Sequence, residues 1–324
     1  MEGLIFANSV AKSKETTMFS SERFARLIDS SSLAEAVKIL VEANYGDGAV
    51  VEDPTDFELI LREEERVLRD FVTFVNRDAE GFECFFLQKD YQNIKAIIKC
   101  GYQGEDPTRM LLNGGLLSPE TLKEELATDT PRINQYADSA IKEIRAYDGI
   151  EKSPRIIDTL IDKAMYKDIC ARISNKKTDK YVKQYFVSYI DCTNICSYVR
   201  CVRIGGAAAF FESNFIEGGK LDYSYFASKY PDIEALKSAV EYSDYKALAE
   251  KMEVASMTEF DTMRDNLLLD VFKSNRNDMF SVAPMIGYYL GKLTEISALR
   301  IALVCIKNGV PKNEIEKRLR KMYA

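Results

Sequence analysis

The stretch YIDCTNICSYVRCVRIGG, residues 189–206, gathers side chains that bind metals and anions: Cys192, Cys196 and Cys201, the acid Asp191, and the cations Arg200 and Arg203. Cys192 and Cys196 fall one helical turn apart. A structural zinc site wants four ligands, usually paired short-spaced cysteines. Here three thiols share one helix, and the 324-residue chain has no histidine to complete a set. The lack of histidine also removes the commonest general base and metal ligand, which excludes Ser-His-Asp, Cys-His and HExxH chemistry. GGKLD at 218–222 lacks the upstream glycine, and the hydroxyl after Lys220, of a phosphate-binding loop. The consecutive acids Glu63, Glu64 and Glu65 are expected on a solvated helix face. The basic tail IEKRLRKMY reads as a short surface helix, or as a contact for an acidic partner or lipid headgroups. The residues give no catalytic constellation, metal site or cofactor. The one enzymatic alternative uses Asp90, Asp191 and Glu295 as metal ligands, against which stands the commoner use of helix-start acids as caps or dipole partners.

Something must position these residues, and the composition says what. Apolar residues make up 46% of the chain, enough for a packed core, while 8 prolines and 16 glycines are too few for a turn-rich β architecture. The fold class is therefore all-α. A net charge of −7 argues against nucleic-acid binding, which needs clustered Lys and Arg. Seven cysteines without disulfide-framework spacing suit a reducing, cytoplasmic compartment. The opening MEGLIFANSVAKSKETT lacks a signal peptide's apolar core. The longest apolar run, Met279 to Gly291, stops at Lys292, short of the ~20 residues that span a bilayer. A soluble protein follows, with membrane contact only through a partner.

Four landmarks recur three times in the same order. Helix starts fall at Ser20, Ser118 and Asp222, spaced 98 and 104 residues apart, each with an apolar residue four positions on (Phe24, Leu122, Phe226). Long amphipathic helices carry an early acid at Glu58, Asp158 and Asp261; Thr55 with Glu58 and Thr258 with Asp261 read as capping boxes, and Ser153-Pro154 as the start between them. KDYQNIKAIIKCGYQG, IDCTNICSYVRCVRIG and TEISALRIALVCIKNG open with Asp90, Asp191 and Glu295, followed three positions later by Asn93, Asn194 and Ala298. Gly104, Gly205 and Gly309 lie fourteen residues after those acids, where a left-handed residue ends a helix. Three related helical units result, at residues 1–114, 115–218 and 219–324, with the small, apolar IGGAAAFF segment as packing or a turn between the second and third.

Counted from the acid, positions +4 and +8 form a core stripe: Ile94 and Ile98, Ile195 and Val199, Leu299 and Leu303. Position +10 is cysteine throughout (Cys100, Cys201, Cys305), which suits a small buried packing position. Positions +5, +9 and +12 place two cations per copy on a neighbouring stripe: Lys95 and Lys99, Arg200 and Arg203, Arg300 and Lys307. This stripe is either a solvated face or a candidate axial, partner-binding face for an acidic element.

KDYQNIKAIIK, IDCTNICSYVR and TEISALRIALV, with YGD at 45–47 and LLSPETL, resemble the C subunits of the bacterial and archaeal V/A-type ATPases, relatives of the eukaryotic d subunit. The resemblance covers the whole chain and implies three similar helical domains in a pseudo-threefold funnel. It implies a non-catalytic component, monomeric within its complex and peripheral on the cytoplasmic face of the membrane. There it is a socket coupling the central shaft, made of the D and F subunits, to the membrane proteolipid ring, for proton or sodium transport. Ala298 departs from the pattern, so any hydrogen bond made by Asn93 and Asn194 is missing from the third copy. A helical-repeat adaptor of another complex is the alternative.

Overall fold

The computed structural model describes residues 2–75, 81–147, 153–320 and 323, with every regular element among them helical. In chain order these are α1 (Glu2–Glu15), α2 (Ser21–Ile28), α3 (Leu33–Glu42), α4 (Glu58–Val75), α5 (Cys84–Gln103), α6 (Pro119–Ala127), α7 (Gln135–Ala146) and α8 (Pro154–Ile173). They continue with α9 (Lys180–Arg203), α10 (Ala208–Asn214), α11 (Tyr223–Ala227), α12 (Ile233–Val240), α13 (Lys246–Ala249), α14 (Met257–Lys273), α15 (Ala283–Lys307) and α16 (Lys312–Glu316). Short 3-10 turns cover Pro54–Asp56 and Pro107–Met110.

The chain forms two compact units. One joins both ends, Met1–Asp78 and Val254–Ala324; the other is Ala79–Glu253. In the first, α15 is the central helix, and α1, α4 and α14 pack on it. In the second, α8 packs against α5, α7 and α9. Five of the six stripe positions are buried, and each such aliphatic side chain contributes about 1.5–3 kcal/mol. Ile98 is half-buried.

The three helix starts are capped as the sequence indicates: Ser20, Ser118 and Asp222 each accept the backbone N–H three residues ahead. The three stops follow one rule. Gly104, Gly205 and Gly309 take φ of 70°, 66° and 67°, and the next residue donates its N–H to the carbonyl of Cys100, Cys201 or Cys305. This is the six-to-one bond of a Schellman ending. The +10 cysteines are thus turn acceptors whose side chains are buried.

Three expectations need correction. The capping boxes lie elsewhere: α14 is capped by Ser256 with Glu259, and Asp53 caps the turn before α4, because the true N-cap stands one turn before the first apolar contact. Only Glu63 of the acidic run points outward, to Arg66; Glu64 turns inward to Lys292 and Glu65 binds Arg300. The basic tail continues as a surface helix only through Glu316, the end of α16, and beyond it Arg320 and Tyr323 are docked. Arg320 pairs with Asp265 at 2.7 Å, and Tyr323 is 1% exposed against Gly287 and Gly291, which have no side chain to obstruct its ring.

Candidate functional site

Asp90, Asp191 and Glu295 lie inside α5, α9 and α15 rather than at their starts. That placement decides their use. A mid-helix side chain has no neighbouring unpaired amide of its own helix to cap, so its carboxylate is open to donors elsewhere. Asp90 accepts the N–H groups of Leu116 and Leu117 at 2.8 and 3.2 Å. Asp191 accepts those of Lys220 and Leu221, both at 3.0 Å, and the Tyr245 hydroxyl at 2.5 Å. Glu295 accepts the Phe19 N–H at 2.7 Å, the Tyr45 hydroxyl at 2.9 Å and the Lys292 ammonium at 2.6 Å. In each copy the backbone donors are the residues just before the N-cap of a short helix. The carboxylate therefore fixes how the chain enters that helix.

Burial pushes the Asp191 carboxyl above the usual aspartate range, against the opposing pull of Tyr245 and the two N–H groups. Burial, then the bond to Asp191, raises the Tyr245 hydroxyl; burial, then the charge of Glu295, raises Tyr45. The third clamp is the most charged. Lys292, 3% exposed, bridges Glu295 and Glu64 (2.8 Å), and its ammonium lies 4.3 Å from the Tyr45 ring centre. Glu64 also accepts the Gly46 N–H at 2.6 Å.

The asparagines work beside the acids. Asn93 both donates to and accepts from the backbone of Leu112, at 2.8 and 2.7 Å, and Asn194 does the same for Ile216, at 2.7 and 2.9 Å. Both straps are irregular chain whose amides need partners. In the third copy the place six residues before the N-cap is Lys14, within α1. A helix supplies its own backbone bonds, so Ala298 suffices there.

Two glycines escaped the sequence reading. A Cβ on Gly115 would land on Oδ1 of Asp90 and 2.7 Å from its Cγ; one on Gly219 would land on Oδ1 of Asp191 and 2.8 Å from its Cγ. The third copy has Thr17 at this position, and Glu295, one methylene longer, reaches the strap from further away. The signal was present as GGLLS, GGKLD and TTMFS, each ending on an N-cap.

The basic stripe is divided by burial. Lys95 is buried and pairs with Asp162 of α8 at 2.7 Å; burial raises the Asp162 carboxyl and Lys95 opposes the rise. Lys99 pairs with Asp158 at 2.6 Å, and Arg300 with Glu58 and Glu65 at 3.0 and 2.9 Å. Burial disfavours the Arg300 charge, but its two carboxylates outweigh that and raise its pKa. In these two copies the stripe joins one long helix to another through the early acids Glu58 and Asp158. Arg200, Arg203 and Lys307 are exposed, and Arg203 donates to the Met252 carbonyl at 2.8 Å. Of the cysteines in 189–206, Cys192, Cys196 and Cys201 are all buried in the Ala79–Glu253 unit, and burial raises the Cys201 thiol.

Long helices α5, α9 and α15, each with a buried carboxylate that seats a short capped helix, define an all-α scaffold whose clamp acids are committed to its own backbone and side chains. The chain belongs to the ATP synthase (C/AC39) subunit family, whose sequence model matches residues 7–318. This family comprises the C subunits of V/A-type ATPases, a non-catalytic part of the complex. The chain is 19% identical over 321 residues to the V-type sodium ATPase C subunit of Enterococcus hirae, covering 98% of each. It is 24% identical over 330 residues to the A-type ATP synthase C subunit of Methanocaldococcus jannaschii, covering 91% of this chain and 80% of the relative. It is likewise 24% identical to the A-type ATP synthase C subunit of Thermococcus gammatolerans, over 96% of this chain and 88% of the relative. Among the described residues no helix is long and apolar enough to cross a membrane.

Proposed function

We propose that this chain is the rotor socket of a V/A-type rotary ATPase. It couples the central shaft, made of the D and F subunits, to the membrane proteolipid ring, as a single copy on the cytoplasmic face, through three similar helical domains in pseudo-threefold order. The observation that supports this reading is the triple carboxylate clamp. A torque-bearing part must keep its helices in register under load, and Asp90, Asp191 and Glu295 tie long helices to neighbouring short ones through buried, charge-assisted bonds. The exposed cations Arg200, Arg203 and Lys307 are the portion of the stripe that we assign to an acidic element of the shaft.

The test is affinity purification of the tagged chain from gently solubilised membranes, read by mass spectrometry. Recovery of the proteolipid with head and stalk subunits is expected. Charge reversal of Arg200, Arg203 and Lys307 should then reduce shaft recovery while leaving the fold intact by circular dichroism. A soluble complex without proteolipid would replace the rotor reading with the helical-repeat adaptor.

A further inference from the structure

Each clamp helix ends at a glycine, and six residues beyond it stands a large apolar side chain: Met110, Phe211 and Ile315. In the second and third copies this residue is an anchor, 1% exposed in each case. Phe211, on α10, packs edge-on against Tyr198 (5.4 Å between ring centres), tilted against Phe226 (5.6 Å) and stacked with Tyr230 (6.0 Å). Ile315, on α16, is held where Lys312 pairs with Asp29, which follows the last residue of α2. In the first copy Met110 is 52% exposed. It closes a four-residue 3-10 turn beginning at Pro107, whereas α10 is a seven-residue α-helix.

The place left by that anchor is open. A groove of about 500 Å³ lies among α5, α6 and α7, walled by Ile97, Ile98, Leu126, Ile141 and Ile144. Two of these are repeat equivalents of the residues that enclose Phe211. Ile97 stands seven residues after Asp90, as Tyr198 does after Asp191; Leu126 stands eight after Ser118, as Tyr230 does after Asp222. Ile98 is the stripe residue that is half-buried. Tyr102, which lines the groove, is 40% exposed, so part of its apolar wall faces outward. Its polar lining is divided, with Lys123 and Arg145 from α6 and α7, and Glu105 and Asp106 from the segment after α5.

We infer that this groove is a docking site for a helical turn of a partner protein that inserts one large apolar side chain followed directly by a carboxylate. The chain's own occupants set that chemistry, since Phe211 precedes Glu212 and Ile315 precedes Glu316. The carboxylate complements Arg145, whose guanidinium bonds the neutral carbonyls of Leu126, Thr128 and Asp129 and so keeps its charge, more than Lys123, which bonds the Thr108 hydroxyl and already lies 3.9 Å from Asp106. The apolar side chain gains the burial that Met110 forgoes. The partner's identity as a component of the rotary assembly rests on the proposed function; the groove's preference does not.

Two measurements test this on the full-length chain. The first probe is the acetylated peptide AAAFFESNF, residues 207–215 of this chain, titrated into isoleucine-methyl-labelled protein. Saturable shifts at Ile97, Ile98, Ile141 and Ile144 are expected, with Kd on the order of 1 mM for so small a contact. A peptide with Ala for Phe at position 211 should bind at least tenfold more weakly. Gly101→Met, which places a side chain into the groove from α5, should abolish the shifts without lowering Tm, because a Cβ at Gly101 meets no atom within 4 Å. Absent shifts, or equal shifts from both peptides, would overturn the groove's assignment. The second measurement places photoreactive benzoylphenylalanine at Leu126 in the native assembly. Crosslinking to an apolar residue beside an acid in another component of the ATPase is the expected result. Crosslinks confined to the Met110 segment, or to a second copy of the chain, would overturn the partner. A crosslink to a protein outside the ATPase would sustain the groove and overturn the rotor reading.

Discussion

Gly115→Ala puts one methyl group against the Asp90 carboxylate. The built Cβ lies 2.7 Å from Asp90 Cγ, so the carboxylate must leave, and its bonds to the Leu116 and Leu117 N–H groups go with it. Hydrogen bonds to a charged group are worth about 1.5–3 kcal/mol each, and alanine returns about 0.4–1 kcal/mol by restricting the unfolded chain. The net loss is about 2–5 kcal/mol, a Tm lower by roughly 3–7 °C for a chain of 324 residues. No backbone penalty enters, since Gly115 does not occupy the left-handed region that its neighbour Gly114 does at φ 91°. Urea unfolding followed by circular dichroism, together with a thermal scan, reads the effect. The same substitution in an Asp90→Ala background should cost almost nothing, a coupling of at least about 2 kcal/mol across the cycle. Gly101→Ala, in the same helix as Asp90 but open to space, should instead stabilise by about 0.5–1 kcal/mol. A loss below about 1 kcal/mol for Gly115→Ala, or equal losses in both backgrounds, would refute the clamp as the reason for the glycine.

Asn93→Ala and Asn194→Ala should each cost about 1–3 kcal/mol, the worth of two neutral bonds to a strap, whereas Ala298→Asn should bring no gain because α1 already satisfies its backbone; chemical denaturation of the three variants decides. Lys292→Met should cost about 3–5 kcal/mol by stranding Glu64 and Glu295, and the triple variant that also makes both acids Gln should recover part of that loss. Because burial raises the Asp191 carboxyl above 3.8, the folded state holds its proton more tightly than the unfolded chain does. The associated stability is full below 3.8 and is lost as pH rises through the folded value, so relative to Asp191→Asn the wild type should weaken across that window; urea midpoints from pH 3 to 7 give the trend, and the reverse slope would contradict the assignment.

Short-range signals were legible in the sequence. Ser20, Ser118 and Asp222 cap their helices, and Gly104, Gly205 and Gly309 end theirs, because each acts on chain within a few residues. Helix boundaries upstream of the acids were not. CFFLQK and YYLGK precede Asp90 and Glu295 without a side-chain cap, and those helices begin at Cys84 and Ala283; α9 begins at Lys180 behind the N-cap Asp179, twelve residues before Asp191. The role of the acids was hidden for a different reason. Spacing shows that Asp90, Asp191 and Glu295 are equivalent, but their donors lie 26, 29 and 276 residues away, and one of those lies at the other end of the chain. The stripe was found as a pattern. What splits it into buried pairs and exposed ends is its register against Glu58, Asp158 and Asp162, which a single helix does not disclose.

Glu295 has a consequence for how the protein is made. Its donors at Phe19 and Tyr45 leave the ribosome 276 and 250 residues earlier. At ~5–20 residues per second, the N-terminal helices wait roughly 15–55 s for the carboxylate that seats them. Ala79–Glu253 has no such delay, since its Lys95–Asp162 tie spans 67 residues. Vectorial synthesis therefore lets the middle of the chain mature while the beginning remains an open client for chaperones. A nonsense mutation upstream of α15 leaves the start of the protein as unfinished as its end.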